Sequence, residues 1–223
     1  MGEPIRLRLR FAKTGRAVYI SHLDLMRTMQ RAFLRAGYSL KYSEGFNPHP
    51  VMSILLPLGV GCASECELMD FALTAPADLS ALPERLTAAL PEGIRALECY
   101  SGGRKVTELK WLSLTGELEY DRGADSETAA ALGVFFAQKA LVIEKKTKRG
   151  MGEMDLIPAI HSLRFRPESA GILALEAVIS AQEPTLNPEL LLSALSLHAP
   201  ELAPDFGSFT RRELLDRELR VFR

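Results

Sequence analysis

Arg6-Leu7-Arg8-Leu9-Arg10-Phe11 is the stretch on which the reading of the fold turns, because charged and apolar side chains alternate in it with period two. That alternation predicts an edge or half-exposed strand with one buried face. A turn at Thr14-Gly15 follows, and Ser21 then stands three residues ahead of Asp24 as the cap of a helix. Leu25, Met29, Ala32, Phe33 and Ala36 recur at helical spacing until Gly37 stops the run, which predicts a helix of about four turns. Its other face carries Arg27, Arg31 and Arg35 at i, i+4 and i+8, a single cationic stripe.

Working outward, strands are expected at Tyr38 to Lys41 and Val51 to Val60, separated by the polar segment Ser43 to Pro50. Glu67 to Thr74 alternates again, a helix runs from Asp78 or Ser80 to Leu90, and Ile94 to Tyr100 closes the series as a short strand. With the long β segment turning on itself, the order is β-α-β-β-α-β, the ferredoxin-like arrangement.

The rest of the chain repeats that order without obvious sequence identity to the first part. Trp111 to Asp121 reads as a strand, and Ser126 to Ala140 as a helix with Ala130, Val134 and Ala137 on one face. Leu141 to Ile160 is strand material interrupted at Gly150-Met151-Gly152. Leu163 to Arg166 and Ile172 to Ser180 form a hairpin, Asn187 to His198 is a helix, and the last segment adds a strand. The fold class expected is α+β, as two tandem ferredoxin-like (βαββαβ) halves, residues 1–103 and 108–223.

At 223 residues, 47% hydrophobic and 25% charged, the chain can bury a working core and lies far from the composition of disorder. The start has no apolar run after its first basic residue, and no stretch of about 18 apolar residues occurs anywhere, so neither a secretory signal nor a membrane span is expected. Three cysteines suit free thiols in a reducing compartment, which points to the cytoplasm. The net charge of −1 conceals an asymmetry. Residues 1–50 hold nine Lys or Arg against three Asp or Glu, and residues 51–103 hold two against seven. Such a distribution permits a polyanion-binding face on a protein of unremarkable overall charge.

No complete catalytic or metal motif is present. Cys62-x-x-x-Cys66 is followed by Met69 where an iron–sulfur motif needs its third thiolate, so no cluster is expected on this chain. His22, His49, His161 and His198 lack paired zinc spacing, and no metal site is expected. The loop Tyr42-Ser43-Glu44-Gly45-Phe46-Asn47-Pro48-His49-Pro50 is richer. Tyr42, Glu44, Gly45, Phe46, Asn47 and His49 concentrate aromatic, amide and imidazole groups as ligand-recognising loops do, although Gly45 and Asn47-Pro48 also suit a purely structural turn. Lys145, Lys146, Lys148 and Arg149 put four cations into five residues before Gly150, a composition that suits phosphates or a solvated loop. With Arg27, Arg31 and Arg35, and with Arg6, Arg8 and Arg10, they point to RNA.

Three stretches, Tyr19-Ile20-Ser21-His22-Leu23-Asp24-Leu25-Met26-Arg27, Tyr42 to Pro50, and Leu56-Pro57-Leu58-Gly59-Val60-Gly61, resemble the radical-SAM-associated domain of unknown function. Lys145 to Gly150 and Asp155-Leu156-Ile157-Pro158 also match its pattern, and Val51 departs from it where the family commonly has a basic residue. That domain occurs in bacteria alone or fused behind a cobalamin-binding radical-SAM protein. The resemblance implies a radical-SAM partner that carries the iron–sulfur cluster, SAM and cobalamin, with no cofactor bound by this chain. The expectation is therefore a non-catalytic RNA-handling or substrate-presenting accessory protein, in RNA modification or translation-related metabolism. Two alternatives stay open. One is a metal-independent ribonuclease or RNA-modifying enzyme using His22 and His49 as acid and base, and the other is a protein-interaction module without RNA.

Overall fold

The computed structural model describes residues 6–147 and 150–223, the side chains of 145–147 excepted. The chain divides into two compact units, one reaching Glu108 and including Arg223, the other spanning Leu109–Phe222. Both are α+β.

The first unit runs β1 (Arg6–Lys13), α1 (His22–Arg35), β2 (Met52–Ile54), β3 (Ala63–Ala72), α2 (Leu82–Ala89) and β4 (Ile94–Ser101). β1 pairs antiparallel with β4 on one side and β3 on the other, and β2 pairs antiparallel with β3. The spatial order β4-β1-β3-β2 is that of a ferredoxin-like sheet. β1 is thus a central strand and not the edge strand its alternation suggests. Its odd positions Leu7, Leu9 and Phe11 enter the core, whereas Arg8 on the other face is also buried, because Asp70 of β3 lies opposite it and accepts its charge. Tyr38 to Lys41 is not a strand either. Only an isolated bridge, Leu40 to Leu73, forms there, and the stretch expected at Val51 to Val60 shortens to three residues.

The two helices cover one face of this sheet. Met29, Ala32 and Phe33 of α1, Leu82 and Leu86 of α2, and Leu9, Phe11 and Met69 from the strands have no exposed surface. Phe33 meets Phe71 with ring centroids 4.7 Å apart. α1 starts where the Ser21 hydroxyl accepts from the Asp24 amide, at 3.2 Å. It ends in a Schellman motif: the Tyr38 N–H donates to the Phe33 carbonyl and the Gly37 N–H to that of Leu34, with Gly37 at φ +83°.

The second unit runs β5 (Trp111–Glu119), α3 (Ser126–Phe136), β6 (Val142–Thr147), β7 (Gly150–Asp155), β8 (Ile160–Ser169), β9 (Ile172–Ser180), α4 (Glu189–His198) and β10 (Phe206–Leu215). Its sheet order β10-β5-β9-β8 repeats the plan of the first unit, antiparallel throughout. The strand material after α3 is a separate hairpin, β6–β7, inserted before β8. α3 buries Ala129, Leu132 and Phe136, leaving the expected Val134 exposed. Ala, Leu, Val and Phe surround that helix, so its periodicity does not single out a face.

Candidate functional site

The cationic stripe and the aromatic loop meet in the first unit. Arg27, Gln30, Arg31 and Leu34 of α1 line a cleft of about 360 Å³ together with Tyr38, Ser39, Leu40 and Tyr42. Gln30 and Tyr42 close one wall, the Gln30 side-chain amide donating to the Tyr42 hydroxyl at 3.0 Å. Eleven residues of intervening chain separate these two, and the Schellman end of α1 turns the backbone so that they meet. The three arginines are not equivalent. Arg27 pairs with Asp24 at 3.1 Å with both side chains exposed, and Arg35 donates to the Ala89 carbonyl at 2.6 Å, away from the cleft lining. The Ser21 hydroxyl and then Arg27 hold the Asp24 carboxyl below its ordinary range.

The loop is a closed structure with an open tip. At its neck the Val51 N–H donates to the Lys41 carbonyl at 2.7 Å and the Ser43 N–H to that of His49 at 2.8 Å. The Ser43 hydroxyl accepts from the His49 N–H and lies 2.9 Å from His49 Nδ1, which fixes the imidazole to the neck. Glu44, Gly45, Phe46 and Asn47 are exposed, with Phe46 fully in solvent and Gly45 at φ +125°. His49 lines a second cleft, of about 320 Å³, with Arg6, Met52, Ser53 and Asp70.

His22, the first residue of α1, is exposed and lines neither cleft, so the structure does not bring it together with His49 or Tyr42 in either of them. His161 packs against Trp111 at 5.3 Å, and His198 places Nε2 2.9 Å from the Val142 carbonyl. The Lys145 and Lys146 side chains, and Lys148 and Arg149 altogether, lie outside the described residues. Among the described residues no group of three or more His, Cys, Asp or Glu is placed to hold a metal ion. Cys62 and Cys66 are buried free thiols. Among the described residues no helix is long and apolar enough to cross a membrane.

Two features escaped the sequence. Gln30 follows Arg27 at i+3, but nothing in the chain signals its pairing with Tyr42. Lys13 is 1% exposed, its ammonium donating to the Val18 and Ile20 carbonyls at 3.0 and 3.1 Å. Burial lowers its pKa, and the charge of Glu67 acts against that shift. It thereby fixes the segment that leads into the cap of α1. A lysine ending an alternating strand looks like any exposed cation until the irregular pairing between Phe11 and Lys13 is known.

Comparison with known proteins adds a family. No curated protein matches the chain. Among solved structures it is similar to the "Crystal Structure of an Unknown Protein from Galdieria sulphuraria", with 12% identity over 94% of this chain and 99% of that one, at a TM-score of 0.28. It is also similar to the "Crystal structure of putative glycine cleavage system transcriptional repressor", with 13% identity over 97% and 100% of the two chains, at a TM-score of 0.26. Such scores bear on neither fold nor function. The model of a family described as "Uncharacterized protein conserved in bacteria (DUF2344)" matches residues 6–188, and the chain belongs to that family.

Proposed function

We propose that this chain is a non-catalytic RNA-handling or substrate-presenting subunit that works with a radical-SAM enzyme, in RNA modification or translation-related metabolism. The observation that supports this reading is the α1 cleft, where Arg27 and Arg31 stand beside Gln30 and the half-exposed ring of Tyr42. Single-stranded RNA is held by cations on its phosphates, aromatic rings under its bases and amides on base edges, and the cleft supplies one or more of each. Phe46, wholly exposed at the loop tip, offers a second stacking surface. The cofactors of the reaction, an iron–sulfur cluster, SAM and cobalamin, belong in this reading to the partner, and this chain positions the substrate.

The test is salt-dependent binding of tRNA and rRNA fragments to the protein and to the double variant Arg27→Glu, Arg31→Glu. Each phosphate contact contributes about −0.7 to the slope of log K against log salt for a single strand, so loss of two flattens it by about 1.4. Arg35→Glu, whose guanidinium is engaged on Ala89, should change the slope far less. Absence of binding at about 50 mM salt would discard RNA as the ligand.

A further inference from the structure

The first unit has another concentration of positive charge, at the opposite end of the β1–β4 pair from the Lys13 lock. We infer that the cleft between the start of β1 and the segment following β4 is a binding site for a phosphate group. This rests on a different cleft from the α1 cleft that supports the RNA-handling reading, and stands without it.

Arg6, Leu7 and Arg8 of β1, Asp70 of β3, and the run Ser101-Gly102-Gly103-Arg104-Lys105-Val106 line a cleft of about 810 Å³. Four cations therefore face one carboxylate. That carboxylate is engaged: Arg8 donates from Nε to one Asp70 oxygen at 2.6 Å and from Nη2 to the other at 3.0 Å. Arg104 pairs with Glu108 at 3.0 Å, and the same carboxylate accepts from the Lys105 amide at 3.1 Å, so Glu108 is held below its ordinary pKa, chiefly by Arg104. Arg6 and Lys105, both exposed, have no ion-pair or hydrogen-bond partner for their side chains among the described residues. Arg6 and Lys105 thus line one cleft whose single carboxylate among the described residues is already engaged by Arg8.

The loop between them is built to be close and fixed. Gly102 takes φ +76°. A Cβ on Gly103 would lie 2.4 Å from Arg8 Cζ, so the backbone there rests directly on the guanidinium, and a side chain at 103 would have to push it aside. The Arg104 N–H donates to the Arg223 carbonyl at 2.9 Å, which ties down the next residue. A cleft lined by cations from β1 and from a pinned glycine-containing loop suits a compact dianion better than a single carboxylate, because a phosphate carries more charge and more acceptor oxygens for those cations.

The experiment is a calorimetric titration of the full chain with inorganic pyrophosphate at low salt, beside Arg6→Ala with Lys105→Ala and beside Arg6→Lys with Lys105→Arg. Both positions are exposed, so the alanine pair leaves the fold unchanged. Removing two charged donors should weaken pyrophosphate at least tenfold, while the charge-conserving pair keeps most of the affinity. The same variants are then titrated with the RNA fragments. Loss of pyrophosphate binding alone identifies a small phosphorylated ligand; a parallel loss of RNA binding identifies the phosphate as part of the polynucleotide. Pyrophosphate that fails to bind at about millimolar concentration, or binds the alanine pair as well as the parent, overturns the site. Arg27→Glu with Arg31→Glu, which tests the α1 cleft, should leave pyrophosphate binding in place, so the two ideas fail separately.

Discussion

Replacing Asp70 by Asn keeps its size and removes its charge, and the structure sets opposite consequences for stability and for binding. The Arg8 side chain is 4% exposed and that of Asp70 38%. Exposed ion pairs contribute about 0–1 kcal/mol, and breaking a fully buried one costs about 3–5 kcal/mol, because the remaining charge loses both partner and solvent. Here one member is buried and the other only partly, which places the expected loss at about 2 kcal/mol. With a urea slope of about 1.5 kcal/mol per molar, the midpoint followed by circular dichroism falls by about 1.3 M. Adding Arg8→Met should recover most of that loss, since the buried cation is then gone. In the cleft, meanwhile, the carboxylate no longer repels an incoming anion. A charge about 6 Å away in a water-like dielectric is worth about 0.7 kcal/mol, so pyrophosphate should bind about threefold more tightly. A variant as stable as the parent, or one that binds pyrophosphate more weakly, would refute the account of Arg8, Asp70 and their cleft.

Phe33→Ala removes a ring without exposed surface from its contact with Phe71 and should destabilise the first unit by about 3–5 kcal/mol in denaturant titrations, with little effect on the second. Tyr120, 3% exposed, has its pKa pushed up from 10.0 to about 12 by burial, and its hydroxyl donates to the Leu202 carbonyl at 3.1 Å. A raised folded pKa means that this contribution is intact below pH 10 and is lost as pH climbs from 10 through 12. Up to about 2–3 kcal/mol disappears in that window. Tyr120→Phe should lose about 1 kcal/mol near pH 8 for the hydrogen bond and show a flatter alkaline decline than the parent. Cys99, raised from 9.0 to about 12 by burial, contributes equally to both curves and cancels in the comparison.

Much of the architecture was legible because it rests on local signals. The period-two run at Arg6 to Phe11, the Ser21 cap and the Gly37 stop each report the chain's own stereochemistry, and the element order of both units follows from such marks. What escaped was set by pairing across the sheet. Arg8 reads as a solvent-facing residue until Asp70, sixty-two positions later, is known to lie opposite, and this concealed both the central place of β1 and the charge balance of its cleft. α3 hid its buried face because apolar residues surround it. The cationic stripe and Tyr42 were visible singly, but their convergence depends on how α1 ends. That His22 and His49 line no common cleft among those described is a matter of tertiary placement, which no spacing rule encodes.

That neck divides labour within ten residues. Backbone bonds at Lys41, Ser43, His49 and Val51 secure the base of the loop, while Glu44 to Asn47 contribute almost nothing to the core. Substitutions at the tip are therefore nearly free of folding consequences, and selection can act there on whatever is contacted without first repairing the scaffold. A library confined to Glu44, Phe46 and Asn47 should stay folded throughout, which makes this loop the natural place to evolve a new preference.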